Sequence, residues 1–307
     1  MVKLNIVIVN WNAGETLHKC ISSIVGSDLE KSKYNIFVVD NQSSDNSIDL
    51  ISGLSKNLTI IRNSENVGFG MACNQVLENY SSDYFLLLNP DVILNSNTLS
   101  ESLNYMESHT DVDVMGVKNI NLNGATVASC ARFPSAGRLT NDILGLSKIS
   151  PAFFRPGTIM TDWDHLSFRE VDHVIGAFMF IRAAILEKSG FFDPDYFLYM
   201  EDVDLSFRIK RAGGKIIYNP DISIIHEGGG TTKSIREQSL LYSLQSRMIY
   251  CKKYFKKSTV IYLITISLLF EPFLRLLNSV ASFNSRDTRA VVRTYKRYFR
   301  WVMSDKL

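Results

Sequence analysis

Cysteine is scarce in this chain of 307 residues. The four cysteines stand far apart and include no Cys-x-x-Cys pair: Cys20, Cys73, Cys130 and Cys251. This spacing argues against a disulfide framework and against a zinc framework, because both need cysteines at short, repeated intervals. We therefore expect four buried or free thiols in a reducing compartment.

A large excess of charge of one sign is also absent. The chain has 33 lysines and arginines against 31 aspartates and glutamates, which gives a formal net charge of +2. A nearly neutral protein has no overall attraction for polyanions. We therefore expect no nucleic-acid partner.

Long uninterrupted apolar runs are missing as well. Residues 4–9 follow a single lysine and are broken at once by Asn10-Trp11-Asn12, so this run is too short for the core of a signal peptide. Residues 260–270 are followed by Glu271-Pro272, whereas a confident transmembrane helix needs about 18 uninterrupted apolar residues. We expect the catalytic part of the chain to be cytoplasmic.

The composition that remains is that of an ordinary globular protein, with 46% apolar and 21% charged residues. Short apolar runs bounded by turn residues predict strands over 4–9, 36–39, 58–61, 84–88, 174–181, 215–218 and 222–225. Helical patterns alternate with them, including 15–25 and 204–212. The alternation predicts an α/β fold with a mostly parallel central sheet flanked by helices. Residues 117–170 have no clean period and are expected to be loops or an antiparallel excursion.

The character of the chain changes near its C-terminal end, and we divide it into a catalytic domain, 1–255, and a helical extension, 256–307. On a helical wheel, one face of the last segment carries basic residues: Arg289, Arg293, Lys296 and Arg300. The opposite face carries Val291, Val292, Tyr295, Tyr298, Phe299 and Val302. This pattern predicts a helix lying on the inner face of the cytoplasmic membrane. The alternative is a helix docked on the domain with its basic face in water.

Three apolar runs end on acidic residues. The first ends at Asp40, the second is followed by Asn89-Pro90-Asp91, and the third ends at Glu201-Asp202. In an open α/β sheet, ligands bind beyond the carboxyl ends of the strands. Carboxylates gathered there can hold a cation that serves a phosphorylated substrate.

Each of these motifs also has a purely structural interpretation. Asp40 can form an Asx turn, and the residues Asn89-Pro90-Asp91 are all common in turns. The acids from Glu201 to Asp204 favour a helix N-terminus as well as a general base. Two further elements also have both a structural and a functional interpretation. The partial Gly-x-Gly pattern at Gly68 is a weak nucleotide signal, and a lone histidine such as His226 is more often structural than a ligand.

Taken together, the motifs resemble glycosyltransferase family 2, the inverting nucleotide-sugar transferases with the GT-A fold, and most of all its bacterial rhamnosyltransferase-like branch. The resemblance covers about residues 4–230. It lies in Ile8-Val9-Asn10-Trp11-Asn12, Val38-Val39-Asp40-Asn41 with Ser44-Asp45, Asn66-Val67-Gly68-Phe69-Gly70, Asn89-Pro90-Asp91, Phe192-Asp193 through Glu201-Asp202-Val203-Asp204, and His226.

The resemblance implies a role for each matching position. Asp202 is the expected general base, and Asp91 with His226 the expected ligands of Mg²⁺ or Mn²⁺. The expected donor contacts are Asn10, Asn12, Asp40, Asn66, Gly68, Asn89, Lys233 and Arg236. The expected acceptor contacts are Glu201, Gly176 and Trp163. One position departs from the fold's Asp-x-Asp metal motif, because Asn89 stands where the first acid is expected.

The implied function is the transfer of L-rhamnose from dTDP-rhamnose to a lipid-linked saccharide in the synthesis of a bacterial surface polysaccharide of the O-antigen kind. A transferase of the same fold that uses a UDP- or GDP-linked sugar is the main alternative. A non-catalytic nucleotide-sugar-binding protein and a nucleotide-dependent dehydrogenase are further alternatives. The glycines at 68 and 70 disfavour the dehydrogenase, because they follow the third predicted strand rather than the first.

Overall fold

The computed structural model describes residues 2–150, 153–154, 157–228, 235–281 and 285–304. Its strands are β1 (Leu4–Asn10), β2 (Tyr34–Asp40), β3 (Leu58–Arg62), β4 (Tyr84–Leu88), β5 (Val92–Leu94), β6 (Val114–Ile120), β7 (Thr126–Val127), β8 (Cys130–Ala131), β9 (Arg169–Glu170), β10 (His173–Val174), β11 (Phe178–Arg182) and β12 (Ile216–His226). Its helices are α1 (Gly14–Val25), α2 (Ser47–Ile51), α3 (Phe69–Leu77), α4 (Thr98–Ser108), α5 (Ala136–Leu144), α6 (Leu146–Ile149), α7 (Ala183–Ser189), α8 (Glu201–Arg211), α9 (Arg236–Tyr254), α10 (Lys257–Leu269), α11 (Glu271–Ala281) and α12 (Ser285–Met303).

One large mixed sheet organises the molecule, with the strand order β3-β2-β1-β4-β11-β6-β12-β5. Along this path the strands run in the same direction except β11 and β5, which are antiparallel to their neighbours. Strands β7 and β9 pair at the sides with β6 and β12, and β8 pairs with β10 in a separate small ladder. The expected α/β architecture with a mostly parallel sheet is confirmed.

The sheet is buried on both faces because apolar residues occupy consecutive positions of its central strands. Ile6 and Ile8 of β1 face helices α1, α2 and α4, whereas Val7 and Val9 face helices α3, α7 and α8. Alternate residues of one strand thus belong to two separate cores. The four cysteines are free and buried, as the sequence predicts.

Three predicted strands have different limits in the structure. The run 174–181 is divided into β10 and β11, because the backbone between them turns aside and the Gly176 N–H bonds to a side chain instead of a strand. The runs 215–218 and 222–225 are one strand, β12, with a change of register between Asn219 and Ser223. Helix α8 also begins earlier than the predicted Asp204, at Glu201.

The C-terminal helices build a third core of their own. Residues from α5, α9, α10 and α12 pack together there, including Leu139, Leu244, Leu263, Tyr295 and Tyr298. The cluster draws α5 and α9 from the N-terminal side of residue 255, so the predicted division at that residue is not a break in packing. The domain division itself stays a prediction.

The aromatic face of α12 is therefore turned toward protein. Tyr298 is fully buried and Tyr295 nearly so, while Arg289, Lys296 and Arg300 are exposed. For these two tyrosines the expectation of a lipid-facing aromatic stripe is wrong, and the docked-helix alternative is correct. The reason is that an amphipathic pattern records an apolar partner without saying whether that partner is lipid or protein.

A buried ion pair joins α9 to the start of α11. Glu271, at the junction of α10 and α11, pairs with Arg247 of α9 and with Arg275. Burial opposes ionisation of Glu271, but Arg247 and Arg275 outweigh it, so the pKa of Glu271 lies below its ordinary value. The stretch Lys257–Leu277 is long and apolar enough, by length and composition alone, to cross a membrane. In the structure, Glu271 and Arg275 of this charged cluster lie in its C-terminal third.

Candidate active site

The carboxyl ends of three neighbouring strands form one edge of the sheet. Asn10 ends β1 and Asp40 ends β2 in the same register, and their side chains are joined by a hydrogen bond of 2.8 Å from the Asn10 amide. On the other side of β1, strand β4 ends at Leu88 and Asn89 follows it. The Asn89 N–H donates to the carbonyl of Ala177, next to Gly176. The predicted strand-end residues are thus brought together.

Asp40 is almost fully buried and holds two loops together. Its carboxylate accepts hydrogen bonds from Asn10 and from the Ser43 hydroxyl and N–H. Asn12 adopts a left-handed backbone with φ of 53° and accepts from the Ser44 N–H at 2.7 Å. The loops after β1 and β2 are therefore tied into one rigid rim, which is where the sequence predicts contacts to the nucleoside.

The loop before α3 is held against the turn before α8. Gly68 has φ of 86° and ψ of 176°, a conformation that essentially only glycine adopts. A Cβ at this position would lie 2.2 Å from the Phe197 carbonyl oxygen, which accepts the Phe69 N–H at 3.1 Å. Asn66 caps the same loop by accepting the Gly68 N–H at 3.0 Å.

A second clamp lies one helical turn further on. The Asn74 amide donates to the Phe192 carbonyl at 2.9 Å and accepts the Phe192 N–H at 3.0 Å. Gly70 is also packed tightly, because a Cβ there would lie 2.9 Å from the Phe192 side chain. Helix α3 and residues 192–197 therefore move as one unit.

Asp91 and His226 form the second predicted group. The Asp91 Oδ1 to His226 Nε2 distance is 3.2 Å, because β5 and β12 pair with His226 opposite Val92. His226 Nε2 is buried, and its contact with Asp91 does not have the geometry of a hydrogen bond. Two cis ligands of an octahedral ion with bonds of about 2.1 Å lie about 3 Å apart. The pair therefore fits a divalent cation.

A third protein ligand is not evident. Within the described ranges, no group of three or more His, Cys, Asp or Glu side chains is placed to hold a metal ion. This agrees with the departure at Asn89, whose amide replaces one carboxylate. A cation at Asp91 and His226 would take its other ligands from substrate phosphate and water, as Mg²⁺ commonly does.

Asp202 lies at the start of α8, after a strained turn. Tyr199 and Met200 both have left-handed backbones, with φ of 69° and 66°. Two such residues in succession cost of order 1–3 kcal/mol each and are found mainly at functional sites. The turn presents the Asp202 Oδ2 to the Gly176 N–H at 3.1 Å and to the buried His173 Nε2 at 3.5 Å.

The two neighbouring acids have opposite protonation behaviour. Burial, and then repulsion from Asp202, raise the pKa of Glu201 well above its ordinary value. Burial also opposes ionisation of Asp202, but His173 and the N–H groups of Gly176 and Val203 outweigh it and hold the Asp202 pKa below its ordinary value. The arrangement therefore favours the protonated form of Glu201 and the ionised form of Asp202, and an ionised carboxylate is able to accept a proton.

His173 is a candidate site residue that sequence reasoning missed. Its Nδ1 lies 2.9 Å from the Ser206 hydroxyl, so the hydroxyl can donate to Nδ1 while Nε2–H faces Asp202. This tautomer is assigned from the contacts. The only signal in the sequence is a histidine at a strand start, three residues before the predicted Gly176.

The other acid of the cluster, Asp204, is structural. It is fully buried and accepts hydrogen bonds from Arg208 at 2.7 Å, Lys253 at 2.7 Å and the Tyr254 hydroxyl at 2.6 Å. Asp204 therefore joins α8 to α9. Because its carboxylate is fully buried and hydrogen-bonded, we assign it no part in the chemistry.

The remaining predicted contacts are dispersed. Trp163 stacks on His165 with ring centroids 4.2 Å apart, and Arg169 lies over its ring. No contact joins Trp163 to Asp202 in the part of the chain that the structure describes. Arg236 is exposed at the first position of α9, and Lys233 lies outside the described residues.

Comparison with known proteins agrees with this geometry. The family model described as Glycosyl transferase family 2 matches residues 5–190. The N-acetylglucosaminyl-diphospho-decaprenol L-rhamnosyltransferase of Mycobacterium tuberculosis is 24% identical over 244 residues, covering 75% of this chain and 77% of that protein. Rhamnosyltransferase WbbL of Escherichia coli K12 is 28% identical over 192 residues, covering 60% of this chain and 69% of that protein.

Solved structures share the fold. Staphylococcus aureus TarS 1-349 aligns with a TM-score of 0.54 at 15% identity, over 96% of this chain and 92% of that one. The mannosyltransferase PcManGT of Pyrobaculum calidifontis, solved with GDP-Man and Mn²⁺, aligns with a TM-score of 0.56 at 15% identity, over 98% of this chain and 83% of that one.

The close approach at Gly68 gives a direct test of the site's rigidity. We expect Gly68→Ala to lower the free energy of unfolding by about 2 kcal/mol or more beyond the cost of Gly53→Ala, and to weaken nucleotide binding. Gly53 is the matched control, because its φ is also positive, at 80°, but a Cβ added there would meet nothing within 4 Å. Urea unfolding measures the difference, and equal costs for the two variants would show that the Phe197 contact is unimportant.

Proposed function

The chain belongs to glycosyl transferase family 2 and is a glycosyltransferase, and from that premise we propose that it transfers L-rhamnose from dTDP-rhamnose to a saccharide carried on a lipid diphosphate. The observation that supports this most is the placement of ionised Asp202 beside His173 and Gly176, at the same sheet edge as Asp91 and His226. The relatives named as rhamnosyltransferases support the sugar, and the mycobacterial relative supports the lipid diphosphate.

The reaction we propose is a single displacement. The acceptor oxygen forms a bond to the anomeric carbon of the sugar while the bond from that carbon to the diphosphate breaks. The acceptor's proton passes to Asp202, and the electron pair of the broken bond leaves with the nucleoside diphosphate. Attack from the face opposite the leaving group inverts the anomeric centre.

The donor subsite is assigned to the rim built on Asp40, Asn10 and Asn12 and to the loop at Asn66 and Gly68. The nucleoside is proposed to lie against this rim, with the diphosphate near Asn89. Asp91 and His226 would hold Mn²⁺ or Mg²⁺. When bound, the cation would supply positive charge that stabilises the leaving diphosphate.

We also propose that the protein associates peripherally with the cytoplasmic face of the membrane. Exposed apolar side chains continue along α10, α11 and α12: Ile261, Leu269, Phe270, Phe273, Leu277, Val292, Phe299 and Met303. Exposed Arg289, Lys296 and Arg300 accompany them on α12. Apolar and basic side chains on one helical unit favour an anionic lipid surface, and the buried Glu271 cluster favours a peripheral position over a spanning one.

Replacement of the proposed base tests the reaction. Asp202→Asn should lower kcat by roughly 10²-fold or more while the affinity for the donor is kept, because the amide cannot take up the proton. The exposed Asp195→Asn is the control and should be near wild type. A rate for Asp202→Asn equal to that of Asp195→Asn would remove Asp202 from the mechanism.

The dependence on pH tests the role of His173. Loss of this partner should raise the pKa of Asp202, so a larger fraction of Asp202 is protonated at low pH. The acid limb of kcat/KM against pH should therefore shift to higher pH in His173→Gln, with little change on the alkaline side. His109→Gln, at an exposed histidine, is the control, and an unshifted acid limb in His173→Gln would contradict the assignment.

Donor identity is tested by ligand-induced stabilisation. The preferred nucleotide sugar should raise Tm most, since a ligand that binds only the folded state stabilises it by mass action. We expect dTDP-rhamnose with Mn²⁺ to exceed UDP- and GDP-linked sugars, and the added effect of Mn²⁺ to disappear in Asp91→Asn. A larger shift with a UDP- or GDP-linked sugar would replace the proposed donor.

Membrane association is tested with vesicles. Phe273→Ser combined with Phe299→Ser should reduce co-sedimentation with anionic vesicles several-fold, because both side chains are more than half exposed, at 59% and 52%. Tyr80→Ser removes an exposed aromatic group elsewhere and should have no effect. Undiminished sedimentation of the double variant would refute this surface.

A further inference from the structure

A cavity lies between the catalytic body and the C-terminal helices. Its volume is about 590 Å³. Helix α5 forms one wall and Tyr262 of α10 forms another. Among its lining residues are Arg132, Arg138, Thr140, Phe153, Phe154 and Tyr262. None of these residues belongs to the donor subsite or to the metal pair described above.

The polar part of the cavity is cationic. Arg132 pairs with Asp162 through Nη2 at 2.8 Å, but its Nη1 is buried and has no hydrogen-bond partner among the described residues. Arg138 donates from Nη1 to the Phe133 carbonyl at 2.9 Å, and the described part of the chain provides it with no carboxylate partner. The buried Nη1 of Arg132 is costly without a partner, and the forked donors of arginine suit phosphate oxygens.

The other part of the cavity is apolar and open to the outside. Phe153 is 86% exposed, and Phe154 and Tyr262 are also exposed. The Tyr262 hydroxyl lies 3.2 Å from the Thr140 hydroxyl, which ties α10 to α5. Exposed apolar side chains also lie further along α10 and α11, including Leu269 and Phe273. A ligand that fits must therefore be anionic at one end and hydrocarbon at the other.

The position of the cavity relates it to Asp202. Arg132 directly follows β8, in which Ala131 is paired with His173 of β10. His173 in turn contacts Asp202. Opposite residues of an antiparallel pair lie about 5 Å apart, so the backbone of Arg132 lies next to the strand that carries His173.

We propose that this cavity binds the diphosphate and the first isoprenoid units of the lipid-linked acceptor, an inference that rests on the proposed function. Arg132 and Arg138 bind the diphosphate oxygens, while Phe153, Phe154 and Tyr262 contact the hydrocarbon. The saccharide at the other end of the diphosphate then extends toward Asp202. The chain thereby recognises the lipid diphosphate in a subsite separate from the one that holds the donor diphosphate.

The experiment measures binding of farnesyl diphosphate to the full chain by calorimetry, without added metal and with dTDP present at saturation to occupy the donor subsite. Inorganic diphosphate and farnesol are measured in parallel. We expect farnesyl diphosphate to bind more tightly than either, because it alone has both parts of the ligand. Arg138→Ala should weaken its binding roughly ten- to hundred-fold, as expected when a charged hydrogen-bond donor is lost.

Matched variants distinguish recognition from damage to the fold. Arg138→Lys keeps the positive charge and should retain part of the affinity, and Phe154→Ala should weaken farnesyl diphosphate more than inorganic diphosphate. Arg211→Ala, at the far end of α8, removes an exposed arginine and should change nothing. Any of three results would overturn the proposal. They are equal affinity of wild type and Arg138→Ala for farnesyl diphosphate, displacement of farnesyl diphosphate by dTDP, and binding of farnesol as tight as that of farnesyl diphosphate.

The experiments distinguish failure of the proposed function from failure of the proposed lipid subsite. Donor hydrolysis in the absence of acceptor should be the same in Arg138→Ala and wild type, since that reaction does not use the lipid subsite. If farnesyl diphosphate binds as expected but Asp202→Asn keeps full transferase activity, the assigned base is wrong and the lipid subsite is unaffected.

Discussion

The close approach of Gly68 to the backbone of Phe197 is the constraint on which the rest of the site depends. A side chain at position 68 would collide with the Phe197 carbonyl, so the donor loop and the turn before α8 can meet only through glycine. The paired hydrogen bonds between Asn74 and Phe192 hold the same two segments one turn further on. The two halves of the proposed reaction, donor binding and proton removal, are therefore fixed relative to each other by a backbone contact at Gly68 and by the buried Asn74 side chain.

Around this constraint, the environment gives each acid a different task. The Asp40 carboxylate accepts hydrogen bonds from the loops after β1 and β2, and Asp91 lies beside His226. Asp204 is buried and joins α8 to α9. Asp202 is partly exposed and has partners that favour its charged form. Burial and repulsion from Asp202 raise the pKa of adjacent Glu201, which favours charge on one of these two carboxylates rather than on both.

Much of this arrangement could be predicted from the chain. Apolar runs that end at Asp40 and at Asn89 identify strands, and a parallel sheet brings their ends to one edge. The pairing of β8 with β10 could not be predicted, because two-residue strands leave no periodic signal. His173 was missed for the same reason. Nor could the helical wheel of α12 show whether Tyr295 and Tyr298 face lipid or protein. Lipid and a protein core are both apolar, so either one can cover the apolar face of a helix. The glycines at 68 and 70 were visible, but the close contacts that require them were not.

The central claim is a single displacement in which Asp202 takes the acceptor's proton. The most direct test is the anomeric configuration of the newly transferred sugar, measured by proton NMR on the first product formed by the wild-type enzyme, before any later equilibration. The account predicts a configuration opposite to that of the sugar in the nucleotide donor. A product with the donor's configuration would contradict it, because retention requires either two displacements or attack from the face of the leaving group.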